Sequence, residues 1–256
     1  MTKITKAKMF GVAALLVSQV VAIGPGCVGA FASESEIDYT QRAMDLYEQG
    51  DLEGSIEEFS QAIKQNSNNW RAYSDRGAEL AQLGNAEDAM ADFNKAISLN
   101  PPSGKVYFNR GKLESELLLP EAAIKDYDVA HKYRPKDPMI LNNRANDKAA
   151  IGDIKGAVAD YKLAIKINPE YSEPYNGLGY LLDMQGNTQD AELMFDKAIA
   201  RDPSYAKAYY NRHKSKLALG DKKGAIADLK KSASLYESLG QLELCDQCLD
   251  DVKALL

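Results

Sequence analysis

Apolar positions recur along this chain at helical spacing, and the helical pattern itself repeats. Self-comparison gives a period of 34 residues. It runs from Glu36 to Leu239, a span of 204 residues that holds six copies without insertion. The units cover residues 36–69, 70–103, 104–137, 138–171, 172–205 and 206–239. Each predicts a helix, a short turn, a second helix and another turn. Two of the clearest copies run from Trp70 to Gly77 and on through Phe93 to Pro101, and from Ser172 to Gly179 and on through Phe195 to Pro203.

The repeated positions have a physical reading. The eighth is small where two helices approach: Ala43, Gly77, Gly111, Ala145 and Gly179. The twentieth is small on the second helix: Ser55, Ala89, Ala123, Ala157, Ala191 and Ala225. Small residues let two backbones come close, so each pair is expected to pack as an antiparallel hairpin. Position 24 carries a large knob, Phe59, Phe93, Tyr127, Tyr161, Phe195 or Leu229. Pro101, Pro135, Pro169 and Pro203 follow the second helices, and Gly50, Gly84, Gly152, Gly186 and Gly220 lie in the turns within hairpins.

These positions, recurring together at fixed offsets over about four-fifths of the chain, resemble the tetratricopeptide repeat (TPR) family. The resemblance implies an all-α fold, an α-solenoid (right-handed superhelix) of six helix-turn-helix hairpins. It also implies a non-enzymatic scaffold or adaptor that binds other proteins, without a cofactor. The first repeat has Ser67 where proline is expected. The third has Leu117-Leu118-Leu119-Pro120 in place of a polar, glycine-containing turn. That run is either a contact patch on the solenoid edge or packed beneath the neighbouring turn, and the second reading is favoured. The sixth repeat has His213 at a small position, Ser232 in place of Ala and Glu237 in place of Pro, so a distorted hairpin is expected there. Residues 240–256 then predict a C-terminal capping helix with Cys245, Cys248, Leu249, Val252 and Leu256 on its apolar stripe.

The first 32 residues differ from the rest. They hold no acid; Lys3, Lys6 and Lys8 precede an uncharged run from Met9 to Ile23, and Ala30-Phe31-Ala32 ends the segment. That order predicts a secretory signal peptide cleaved after Ala32, and hence an exported protein in a periplasm, a lumen or the extracellular space. Two alternatives involve a membrane. Uncleaved, Met9–Ala32 is 24 residues, long enough to anchor the chain. Gly26-Cys27 also resembles the end of a lipoprotein box, which would place a lipid on Cys27. In either case the chain would be a tethered accessory subunit of an envelope or secretion assembly.

Charge narrows the function further. The chain carries 31 Lys and Arg against 37 Asp and Glu, a net charge of −6. Removal of the leader takes away three lysines and no acid, giving −9. Such a balance argues against a nucleic-acid partner. Two histidines, His131 and His213, lie in different repeats, so no zinc site is expected. Adjacent acids such as Glu57-Glu58 diverge on a helix, and no nucleophile or phosphate-binding motif occurs, so no enzyme is expected. Cys245 and Cys248 form a C-x-x-C pair. It is read chiefly as packing on the cap, with a structural disulfide or a thiol redox function as alternatives.

By resemblance, positions 2, 5, 9, 12 and 13 of each repeat line a concave groove. Arg71, Lys105, Lys112, Lys207 and Lys214 give it five positive charges, against Glu48, Glu116, Glu173 and Asp183. Asn142, Asn146 and Asn176 form a central amide-lined stretch, and Phe108, Tyr180 and Tyr210 add flat contact area, as does Tyr47. The expected partner is an extended or helical segment of another protein, with acidic and apolar residues, held along repeats two to six.

Overall fold

The computed structural model describes residues 34–99 and 103–256. The leader with Cys27, and Pro101, lie outside them. The described residues form thirteen helices and no strand. Six helices open hairpins: α1 (Glu34–Glu48), α3 (Trp70–Gln82), α5 (Gly104–Glu116), α7 (Pro138–Ala150), α9 (Glu173–Met184) and α11 (Ala206–Ala218). Six close them: α2 (Leu52–Gln65), α4 (Ala86–Leu99), α6 (Pro120–Tyr133), α8 (Ile154–Ile167), α10 (Thr188–Arg201) and α12 (Lys222–Ser238). Each helix packs on its neighbours in sequence. From α3 onward each opening helix also touches the next opening helix, up to α11. The result is an all-α solenoid, with the opening helices side by side on one face.

The small positions hold the hairpins shut. A Cβ built on Gly179 would lie 2.7 Å from the Phe195 ring, and one on Gly111 would lie 2.9 Å from the Tyr127 ring. Both are closer than carbon atoms tolerate, so the missing side chain is what admits the knob. The knobs are buried throughout, and each contributes about 1.5–3 kcal/mol of apolar burial. Ser55 fits its small site because its hydroxyl is satisfied, donating to the Ala43 carbonyl at 2.7 Å.

The turns inside hairpins need a left-handed residue. Gly50, Gly84, Gly152, Gly186 and Gly220 take φ values from +80° to +88°. Asp51, Asp153 and Asp221 follow and cap the next helix, each accepting from the N–H three residues on. The third turn breaks both rules. Leu118 takes φ +59°, and Leu119 stands at the cap position with no side-chain bond to offer. The expectation that this leucine run packs locally is wrong: Leu117, Leu118 and Leu119 are all exposed, Leu118 by 85%. The reason lies in the shared backbone path. A Cβ built on any of the five glycines would meet nothing within 4 Å, so the turn tip has no neighbour to cover a side chain.

The sixth hairpin is not distorted. His213 is buried, with Nδ1 against the Tyr210 carbonyl and its ring edge on the Tyr210 ring. Burial pushes its pKa down, which keeps the ring neutral. Ser232 donates to the Ala206 carbonyl at 3.0 Å. The closing helix α12 runs 17 residues where the other closing helices, α2 without its proline included, run 14. The cap, α13 (Leu242–Leu255), covers its end: Cys245, Cys248 and Val252 join Leu229, Ala233 and Tyr236 in one apolar cluster. The stripe is narrower than expected. Leu249 and Leu256 are exposed, because α13 turns its other side to α12, and Leu255 packs in their place.

A charged ladder runs through the hairpins. Arg76, Arg110, Arg144 and Arg212 stand at the seventh position of their repeats. Each forks onto the aspartate sixteen residues later, Asp92, Asp126, Asp160 or Asp228, with bonds of 2.6–2.8 Å. The third nitrogen reaches back sixteen residues into the preceding hairpin, to Ser60, Asn94, Asp128 or Asp196. One guanidinium thus ties three helices, with the fixed geometry of a bidentate pair. Burial alone would push Asp160 up, but Arg144 and Lys148 hold it below the usual carboxylate range. Lys216 makes an ion pair with Asp228 at 3.0 Å. Two repeats depart. In the third, Glu114 occupies the register of Lys148 and Lys216, and burial together with neighbouring Asp126 pushes it up to about 7. In the fifth, Leu178 and Met194 replace arginine and aspartate together and pack with Tyr161.

Candidate protein-binding groove

The opening helices build the groove, and its two ends differ. At the first three repeats lies a depression of about 440 Å³. Its walls come from Met44, Tyr47 and Glu48 on α1, from Asp75, Ala78, Glu79 and Gln82 on α3, and from Lys105 and Asn109 on α5. A smaller one of about 150 Å³ continues it, sharing Ala78, Gln82 and Asn109 and adding Lys112 and Glu116. Together they form a trough across three repeats. Lys105 is not loose there: its Nζ meets Asp75 Oδ1 at 2.7 Å. Lys112 is exposed and makes no ion pair among those described. Arg71 is exposed and its guanidinium lies over the Trp70 ring.

The central asparagines are placed differently from the expectation. Position 5 lies on the flank of its helix, against the next opening helix, so Phe108, Asn142 and Asn176 are buried. Asn142 donates to Glu173 Oε2 at 2.9 Å, and Asn176 accepts from Asn211 at 2.8 Å. Tyr171 also donates to Glu173, at 2.7 Å. These amides join one repeat to the next and are not presented to an occupant. Asn146 is exposed, with its oxygen accepting from the Tyr161 hydroxyl at 2.5 Å. What the centre does present is apolar. Tyr180 is 51% exposed and Met184 66%.

At the far end, Lys207 is exposed and Lys214 lies over the Tyr210 ring with its Nζ 5.0 Å from the centroid. Tyr210 is only partly exposed because the cap reaches it: its hydroxyl donates to Asp251 at 3.2 Å and accepts from Gln247 at 3.1 Å. Residues of α13 therefore close the end of the groove. Sequence reasoning placed none of them there. It also passed over Glu79, although an acid at the tenth position of a helix that packs on both sides is a readable signal.

Cys245 and Cys248 pack inside the cap. Both are buried and free. Burial pushes the Cys248 thiol up, opposite to the shift a redox thiol needs. Among the described residues no cluster of three or more potential ligands could hold a metal ion, and no helix is long and apolar enough to cross a membrane.

The repeat geometry agrees with comparisons to known proteins. A tetratricopeptide-repeat profile matches residues 40–104 and 176–238, and a second TPR-repeat profile matches 145–186. The chain belongs to the tetratricopeptide-repeat family, whose members are protein-interaction scaffolds. No curated protein matches it. Among solved structures it is similar to a tetratricopeptide repeat protein from Parabacteroides merdae, with 18% identity, a TM-score of 0.68, and 87% of this chain and 94% of that one covered. It is also similar to PilW, described as a widely conserved type IV pilus biogenesis factor, with 23% identity, a TM-score of 0.73, and 85% and 100% covered. A third is YrrB, described as a TPR protein with an unusual peptide-binding site, with 19% identity, a TM-score of 0.55, and 75% and 97% covered. At these identities the likeness concerns the fold.

Proposed function

We propose that this chain is an exported, non-enzymatic scaffold whose concave face holds an extended segment of another protein. One observation carries the reading. Exposed apolar side chains, Met44 and Tyr47 at one end and Tyr180 and Met184 beyond the centre, lie along the same preformed face as a polar trough. A rigid concave wall lowers the ordering cost of capturing an extended chain, and flat side chains supply contact area without many rotamers to freeze. The structural neighbours described as a pilus biogenesis factor and a peptide-binding protein are consistent with such a role. Export rests on the leader alone, from Lys3 to Ala32.

Affinity capture from the native extract tests the groove, with the Tyr180→Ala/Met184→Ala variant run in parallel. A partner held by the wild type and weakened about tenfold or more by the variant supports the reading. A partner held equally by both moves the interface to another surface. The mass of the N-terminal peptide from the native protein tests export: a chain starting at Ser33 supports it, and an intact or lipidated leader points to the tethered form.

A further inference from the structure

Glu79 carries a carboxylate oxygen with nothing to hold. The residue is 4% exposed. Its Oε1 lies 2.8 Å from the Ser55 hydroxyl, whose one proton is shared with the Ala43 carbonyl, while Oε2 is shut from water and meets no donor. An orphaned buried acceptor is costly, and more so when charged. Burial accordingly pushes Glu79 up to about 7, with Asp75 adding to the shift and Ser55 opposing it. A proton on the carboxyl group can stand in for the missing partner.

Its surroundings say what that partner is. Glu79 is part of the wall of the 440 Å³ depression, with Glu48 and Asp75. Three carboxyl groups face one ammonium, that of Lys105, and this is already held by Asp75. Met44 and Tyr47, both about half exposed, line the same space. Acidic and apolar groups lining one space match a long aliphatic stem ending in a cation.

We propose that the depression on repeats one to three receives a lysine or arginine side chain of the bound segment, its stem on Met44 and Tyr47 and its charged head between Glu48 and Glu79. The inference rests on the groove reading above. It also gives the groove a polarity, with an acid-lined socket at one end and the exposed Lys207 and Lys214 at the other.

The test uses the full chain and three fluorescein-labelled pools of 12-residue peptides. Each pool is random in Ala, Leu, Ser and Asn except for a central pair fixed as Lys, Glu or norleucine. Fluorescence polarisation reads the affinity at low salt, where charge is least screened. The lysine pool should bind about tenfold tighter than the glutamate pool and severalfold tighter than the norleucine pool. Glu79→Gln should bring that preference close to one. Glu48→Gln, at an exposed position that leaves the fold intact, should reduce it, and Lys105→Ala should not. Circular dichroism confirms that each variant is folded. A glutamate preference, or a lysine preference that survives both glutamine variants, overturns the socket. Equal binding of all three pools, lost in Tyr180→Ala/Met184→Ala, overturns the socket and leaves the groove reading standing. Absence of binding by every pool counts against both.

Discussion

Leu118 occupies a conformation that costs an L-residue with a Cβ about 1–2 kcal/mol, at a turn where five sister repeats use glycine. Its side chain recovers nothing by packing, since it is 85% exposed. Leu118→Gly relieves the backbone at the expense of a more flexible unfolded chain. The expected net result is a gain of about 1 kcal/mol, seen as a rise in Tm of about 2–4 °C for a chain of this size. An unchanged or lower Tm would show that the leucine contributes something its exposure conceals. His213 shows the opposite case, a bulky polar residue at a small position that the structure satisfies. Its ring is buried, neutral and bonded to a backbone carbonyl, so a departure visible in the sequence leaves the hairpin regular.

At the scale of helices, the joint between α5 and α6 is the imperfect one. Glu114 stands beside Asp126 where Lys148 and Lys216 stand beside their aspartates. Glu114→Lys should restore the pattern and stabilise the protein by about 1 kcal/mol at pH 8, measured by urea denaturation. The pH dependence has a definite sign. A carboxyl group with a folded pKa near 7 and an unfolded value near 4.5 binds more protons when folded, so stability falls as pH rises across that window. The substitution should flatten that slope. Glu79, raised for its own reasons, leaves a residual slope of the same sign. The Asp160 carboxyl, held below its ordinary value, acts oppositely: its contribution is present above about pH 4 and is lost on acidification.

The helices and their pairing were legible because they depend on size and periodicity. Small residues at positions 8 and 20 and a knob at 24 are enough to specify a hairpin. The arginine–aspartate ladder is just as periodic, yet it was invisible to a reading that treats charges as solvated surface. The informative sign was joint replacement, Leu178 with Met194, in the one repeat that lacks both charges. The groove was legible only as a face. Helical position shows which way Asn142 and Asn176 point, but the curvature of the solenoid decides whether the next helix covers them. The socket around Glu79 needed residues from three repeats, including Ser55 on a closing helix, and no single periodic position marks it.

Across the whole molecule, the solenoid's joints are of two chemical kinds. Where a guanidinium forks onto two closing helices, the angle between hairpins is set by directed bonds that tolerate little rotation. Between the fourth and fifth hairpins that fork is missing: Leu178 and Met194 meet Tyr161 through contacts without direction, and the directed ties reduce to Asn142 on Glu173 and Arg201 on the Pro169 carbonyl. The molecule is therefore two stiff arms around one greasy knuckle, and bending will concentrate there. Hydrogen exchange should be faster in α9 than in α5 or α7, and replacing the pair with Leu178→Arg/Met194→Asp should slow it. Leu178 shares α9 with Tyr180 and Met184, so a rope drawn through the groove would feel the bend on the helix whose exposed face is most apolar.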